Sequence, residues 1–126
     1  MIVRTGTVLF VLGTLAALST PALADTYPVS GRWGQSASSE KKRIECHGRR
    51  VITFRGNQRF DSGGGVPGYH LKSVTSDGPS RWRIVDQFTT GQIRAANSNY
   101  TLTKIDAFHI VLDMTPGGSL KLQRCK

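Results

Sequence analysis

Hydrophobic and polar positions alternate along much of this chain, in runs of four to nine residues rich in Val, Ile, Thr, Phe, Tyr and Trp. Clusters of turn-forming residues separate the runs: Gly34 to Ser39, Gly48, Gly56-Asn57, Gly63 to Gly68, Asp77-Gly78-Pro79, Thr90-Gly91, Asn97 to Asn99 and Pro116-Gly117-Gly118. Glycine and asparagine reach backbone conformations that other residues avoid, and proline cannot donate to a strand ladder, so each cluster ends a strand. Many short strands at this spacing predict an all-β fold, here a mostly antiparallel up-and-down barrel of about eight strands. Outside the N-terminal segment no window carries a helical stripe.

The segment 119–125, SLKLQRC, alternates cleanly, with Leu120, Leu122 and Arg124 on one face and Ser119, Lys121 and Gln123 on the other. Arg124 therefore shares the apolar side. The segment 80–88, SRWRIVDQF, places Trp82, Ile84 and Phe88 together and turns Arg81, Arg83 and Gln87 away, with Asp86 as the exception on the apolar face. A loop over Thr89 to Gln92 would set Phe88 opposite Ile93 and Gln87 opposite Arg94 in a hairpin. Residues 100–105 and 108–114 also read as strands, but neither alternates strictly enough to fix its register. The polar stretch Ser36 to Lys42 and the glycine-rich stretch 63–68 are expected to be loose connections.

Val29, Gly31 and Trp33 share one face of the first strand. A closed barrel pairs the first strand with the last, whose inner face carries Arg124. A guanidinium stacked on the Trp33 indole would plug that end and stabilise it by roughly 1–2 kcal/mol if desolvated.

Residues 1–24 hold one positive charge, Arg4, an apolar run from Val8 to Leu18, and small residues at Ala22 and Ala24. This is the pattern of a secretory signal peptide, with an apolar run shorter than the roughly 18–20 residues of a membrane span. The expected organisation is a signal peptide over 1–24 and a single β-barrel domain over 25–126, periplasmic or secreted and not membrane-spanning. An even number of cysteines in an exported chain implies a disulfide, which can only join Cys46 to Cys125. Its 79-residue loop is worth about 4.5 kcal/mol in the chain-entropy model.

Charge adds a second constraint. Without Arg4, 16 of the 17 Lys and Arg residues remain against 8 Asp and Glu, a net +8. Such an excess favours acidic partners: an acidic ligand, an anionic surface or an acidic protein face. Arg49, Arg50, Arg55 and Arg59 form one candidate contact cluster, and Arg81, Arg83 and Arg94 a second on the outer face of the hairpin. The planar guanidinium suits carboxylates and phosphates. Interleaved aromatics are too few to indicate specific nucleic-acid binding.

Gly31-Arg32-Trp33 on the first strand and Arg124 on the last resemble the signature of the calycin-like barrels, which include lipocalins, avidins and bacterial metalloprotease inhibitors. The inhibitors are the nearest in habit, as exported domains with a short arm ahead of their Ser-Gly-x-Trp, here Asp25 to Val29. The resemblance implies that Gly31, Trp33 and Arg124 close the barrel. Cys46 to Phe54, CHGRRVITF, together with a C-terminal cysteine, also resembles the C-type lysozyme inhibitors. Ser62-Gly63 ahead of Tyr69 only partly follows their inhibitory motif, and a basic chain would repel basic lysozymes on encounter.

Catalytic patterns are sparse. His47, His70 and His109 stand singly, without HxH or HExxH spacing, and no GxSxG nucleophile motif occurs. Gly63-Gly64-Gly65 lacks the Lys-Ser/Thr of a phosphate-binding loop. No catalytic, metal-binding or cofactor-binding residue is assigned, and no cofactor is expected. The function expected is non-enzymatic binding of an anionic ligand or an envelope protein, with a protease-inhibitor-like barrel as its most concrete form. The alternative is a small basic secreted nuclease-type hydrolase using His47 and His109 as acid and base beside Glu45, Arg49 and Arg50.

Overall fold

The computed structural model describes residues 26–66, 68–90, 92, 94–114 and 116–126. The proposed signal peptide lies outside the described residues. Eight antiparallel strands close into one barrel in chain order: β1 (Gly31–Gln35), β2 (Val51–Arg55), β3 (Gln58–Asp61), β4 (Tyr69–Ser76), β5 (Arg81–Phe88), β6 (Ala96–Asp106), β7 (His109–Met114) and β8 (Gly118–Arg124). Closure is made where β1 meets β8, with Trp33 opposite Arg124 and Gln35 opposite Leu122. The predicted all-β, up-and-down barrel is what the chain forms.

Inward-pointing side chains fill the barrel. Trp33, Ile52, Phe54, Ile84, Leu102, Ile110, Leu112 and Leu122 are all essentially inaccessible to solvent. An eight-stranded barrel leaves an interior about wide enough for such side chains to occupy. The arm ahead of β1 enters the core as well: Tyr27 is buried and lies edge-on to Phe54, with ring centroids 5.0 Å apart.

The glycines bracketing Trp33 have separate reasons to be there. Gly31 has φ +95°, a left-handed turn into β1 that a side chain would strain. Gly34 faces Cys46, and a Cβ there would lie 2.5 Å from the Cys46 sulfur. That sulfur belongs to the Cys46–Cys125 disulfide, whose Cα atoms are 5.6 Å apart. Ile44 bridges to Cys125 beside it, so the long β1–β2 connection is fastened to the C-terminus.

Two local expectations are corrected. The β5–β6 connection is longer than Thr89 to Gln92: Phe88 stands opposite Ala96, not Ile93, and Gln87 opposite Asn97, not Arg94. The buried Tyr100 and Leu102 set this register, because they must face inward opposite Ile84 and Trp82. The stretch 36–42 is not loose. Ser36 donates its hydroxyl hydrogen to Gln123 Oε1 (2.7 Å), and Gln123 Nε2 donates to the carbonyls of Glu40 (3.0 Å) and Lys42 (2.8 Å). His109 Nε2 donates to the Ser38 carbonyl (3.0 Å).

Candidate functional site

The strongest electrostatic feature of the protein lies inside the barrel. Asp86, on the inner face of β5, receives three hydrogen bonds: from Arg59 Nε (2.7 Å), from the Tyr100 hydroxyl (2.9 Å) and from the Tyr27 hydroxyl (2.7 Å). Arg59 is only 1% exposed. Its guanidinium lies 3.8 Å from the Tyr69 ring centroid and 5.0 Å from that of Tyr100. The Nη1 atom has no hydrogen-bond partner among the described residues, and the carboxylate of Asp61 is 3.9 Å from it. Ring faces are thus its main compensation on that side.

Asp61 is held in turn by Arg50, through Nε to Oδ1 (2.9 Å) and Nη2 to Oδ2 (2.7 Å), and by the Gly63 amide (2.9 Å). Burial raises the Asp61 pKa, but the Arg50 and Gly63 hydrogen bonds and the charges of Arg50 and Arg59 outweigh it and leave it below the usual aspartate value. Tyr27 and Tyr100 are shifted the other way. Burial, reinforced by the Asp86 charge, pushes both phenols well above their ordinary value. Two arginines and two aspartates therefore neutralise one another within the wall, three tyrosines surround them, and the cluster holds its own atoms together.

These placements correct the first arginine cluster. Arg59 was expected at the surface with Arg49, Arg50 and Arg55, but it points into the barrel because β3 turns Arg59 and Asp61 inward and Phe60 outward. Arg50 is committed to Asp61. Arg49 donates to the carbonyls of Glu45 and Gln35, each at 3.0 Å. Of the four, Arg55 alone extends freely, over the Phe60 ring at 6.0 Å. Arg81 and Arg83 point outward as expected and share Asp77, at 3.8 and 3.7 Å. Arg94 is exposed, in the β5–β6 connection and not on the strand.

At the β1–β8 seam the Arg124 guanidinium covers the Trp33 indole at 4.4 Å, and Trp33 is fully buried. Arg124 also donates to the carbonyls of Ala107 (3.3 Å) and Ser30 (3.5 Å), and the Trp33 ring nitrogen donates to Ser30 (3.1 Å). The Cβ position of Gly31 is 3.3 Å from Arg124 Nη1, so glycine leaves room for the stack.

The residues offered for hydrolysis are dispersed in their duties. His109 is occupied: Nδ1 lies 2.9 and 3.0 Å from the Asp106 carboxylate oxygens, and Nε2 bonds Ser38. Burial raises the Asp106 pKa, but His109 and the Phe108 amide outweigh it and hold the carboxyl below its usual value. His47 is exposed in the β1–β2 connection. Among the described residues no three His, Cys, Asp or Glu side chains gather closely enough to hold a metal ion.

Several shallow depressions mark the outer wall, and two of them bear on binding. One, of about 280 Å³, lies between segment 36–39 and strands β7 and β8, beside the exposed Ile105. The other, of about 310 Å³, is lined by Gln58, Phe60, Gly68, Tyr69, His70, Gln87, Phe88 and Thr89. Sequence reasoning missed both this depression and the Arg59 cluster. The one signal for the cluster was Asp86 on an apolar face, which calls for a buried cation.

Neither protein-family models nor curated proteins nor solved structures gave a match to this chain.

Proposed function

We propose that this chain is an exported, non-enzymatic binding protein that takes an anionic partner on the outer face of its barrel. The observation that carries the reading is the division of charge. Asp61 and Asp86 are spent on Arg50 and Arg59 in the wall and interior, whereas Arg32, Arg55, Lys72, Arg94, Lys104 and Lys121 are exposed and make no ion pair with the described residues. The interior is filled by the chain's own side chains, so binding falls to the outside. Export rests on the N-terminal segment and agrees with the disulfide. The likeness of Gly31, Trp33 and Arg124 to the calycin-like closure favours an envelope protein as partner, in the manner of the inhibitor barrels.

Retention on immobilised heparin, used as an anionic probe, tests the reading. Binding at low salt should weaken steeply toward physiological ionic strength, where exposed charges are screened beyond about 8 Å. Arg81, Arg83 and Arg94 replaced together by lysine separate two forms of the reading: a built site on that hairpin face would weaken, whereas a diffuse field or a site elsewhere on the wall would not. No retention even at low salt would overturn the proposal.

A further inference from the structure

Two cross-strand pairs of the same composition face outward from this barrel, and they differ in what covers them. His109 on β7 stands opposite Gln123 on β8, and His70 on β4 stands opposite Gln87 on β5. The chain's own segment 36–42 lies across the first pair. There Gln123 uses its amide on Ser36, Glu40 and Lys42, and His109 uses Nε2 on Ser38. Three of these four contacts go to backbone carbonyls and one comes from a serine hydroxyl. The covered histidine–glutamine pair on this wall thus takes a polar peptide segment, chiefly through its backbone carbonyls.

Among the described residues, no segment lies across the second pair in this way. The side chains of His70, of Gln87, and of Gln58 beside His70 in register make no hydrogen bond with the described residues. Strands lie about 4.8 Å apart, so these three side chains form a row about 10 Å wide of unspent donors and acceptors. The row borders the 310 Å³ depression, where Phe60 is 37% exposed and the Tyr69–Phe88 edge-to-face pair, at 5.2 Å, forms one wall. The only carboxylates in strands β1 to β5, Asp61 and Asp86, are buried, whereas Arg32, Arg55 and Lys72 are exposed.

From these observations we propose that Gln58, His70 and Gln87, with Phe60, form a docking site for an extended acidic segment of a partner protein. The inference rests on the anionic-partner reading above and names its site. The segment's carbonyls accept from the glutamine amides and the imidazole, as those of Ser38, Glu40 and Lys42 do on the other pair. One apolar side chain enters the depression beside Phe60, and carboxylates face Arg55 and Lys72. Charge complementarity selects an acidic segment over the chain's own segment 36–42, which carries Lys41 and Lys42.

The probe is an end-blocked peptide with the sequence of residues 36–42 carrying Ala37→Leu, Lys41→Glu and Lys42→Glu, titrated into the oxidised protein and followed by amide NMR. Shifts should concentrate on residues 58–60, 69–71 and 87–88. The double variant His70→Ala with Gln87→Ala should bind the peptide about tenfold more weakly, about 1.4 kcal/mol, and keep the parent's retention on heparin. Shifts scattered over Arg81, Arg94, Lys104 and Lys121 with none along the row would overturn the site while leaving anionic binding intact. A heparin fragment that moves the row where the peptide does not would overturn the peptide assignment in favour of a saccharide. Loss of all anionic binding would remove the parent reading as well.

Discussion

Arg59 and Arg124 both lie against aromatic rings at the barrel's inner surface, but their surroundings differ in kind. Arg124 covers Trp33 at the β1–β8 seam, half-buried, and its polar partners are carbonyls. Arg59 is wholly buried against Tyr69 and Tyr100, with Asp86 at 2.7 Å. Removing Arg124 uncovers a ring. Removing Arg59 strands a carboxylate that is fully buried. Stacking geometry alone does not tell these cases apart; the buried counter-charge does.

The largest expected effect follows directly. Arg59→Met should lower stability by about 3–5 kcal/mol, because it breaks a buried pair from one side. Adding Asp86→Asn removes the orphaned charge and keeps an acceptor for the Tyr27 and Tyr100 hydroxyls, so the double variant should regain about half of the loss or more. Urea denaturation of both variants measures the difference. A single-variant cost near zero would mean that the cluster is no more critical than a surface pair.

A pH scan separates the two regions less drastically, because Asp61, Tyr27 and Tyr100, whose pKa values are shifted, lie beside Arg59. The Asp61 pKa is lowered in the folded protein, so its contribution is complete above the ordinary aspartate value near 3.8 and is lost as pH falls through the folded pKa below that. The phenols of Tyr27 and Tyr100 are raised, so theirs is complete below the ordinary value of 10.0 and is lost as pH rises beyond it. Asp61→Asn should flatten the acid limb of the stability profile and spare the alkaline one. An unchanged acid limb in that variant would detach Asp61 from the network's stability.

The contrast also shows why one of these two regions was legible in the sequence and the other was not. Arg124 sits in β8, where Leu120, Leu122 and Arg124 alternate with polar residues, and strand closure then brings it to Trp33. Arg59 sits in β3, which has four residues and an inverted pattern: Arg59 and Asp61 face in, Phe60 faces out. A hydrophobicity pattern assigns such a strand to the wrong face, because the buried charges are satisfied by residues on other strands. Gln58, His70 and Gln87 were hidden for a related reason. Their row exists only through the pairing of β3, β4 and β5, and the irregularity between Leu71 and Ser73 breaks the alternation of β4. Cys46 and Cys125 needed no register, since two cysteines leave one pairing.

The smallest effect tests the Arg124 half of the comparison. Arg124→Met keeps apolar cover on the indole and strands no carboxylate, so it should cost about 1–2 kcal/mol, the range of a desolvated cation–π contact. Arg124→Lys keeps the charge but loses the flat stack and the Nε hydrogen bond to Ala107, so it should recover only part of that loss. Burial of the guanidinium, with Arg43 nearby, lowers its pKa, in the direction expected of a cation without a compensating carboxylate. Tryptophan fluorescence in a Trp82→Phe background, followed alongside denaturation, reports whether the Trp33 ring becomes solvated. A cost for Arg124→Met matching that of Arg59→Met would erase the distinction, because it would show that covering the ring matters as much as neutralising a buried charge.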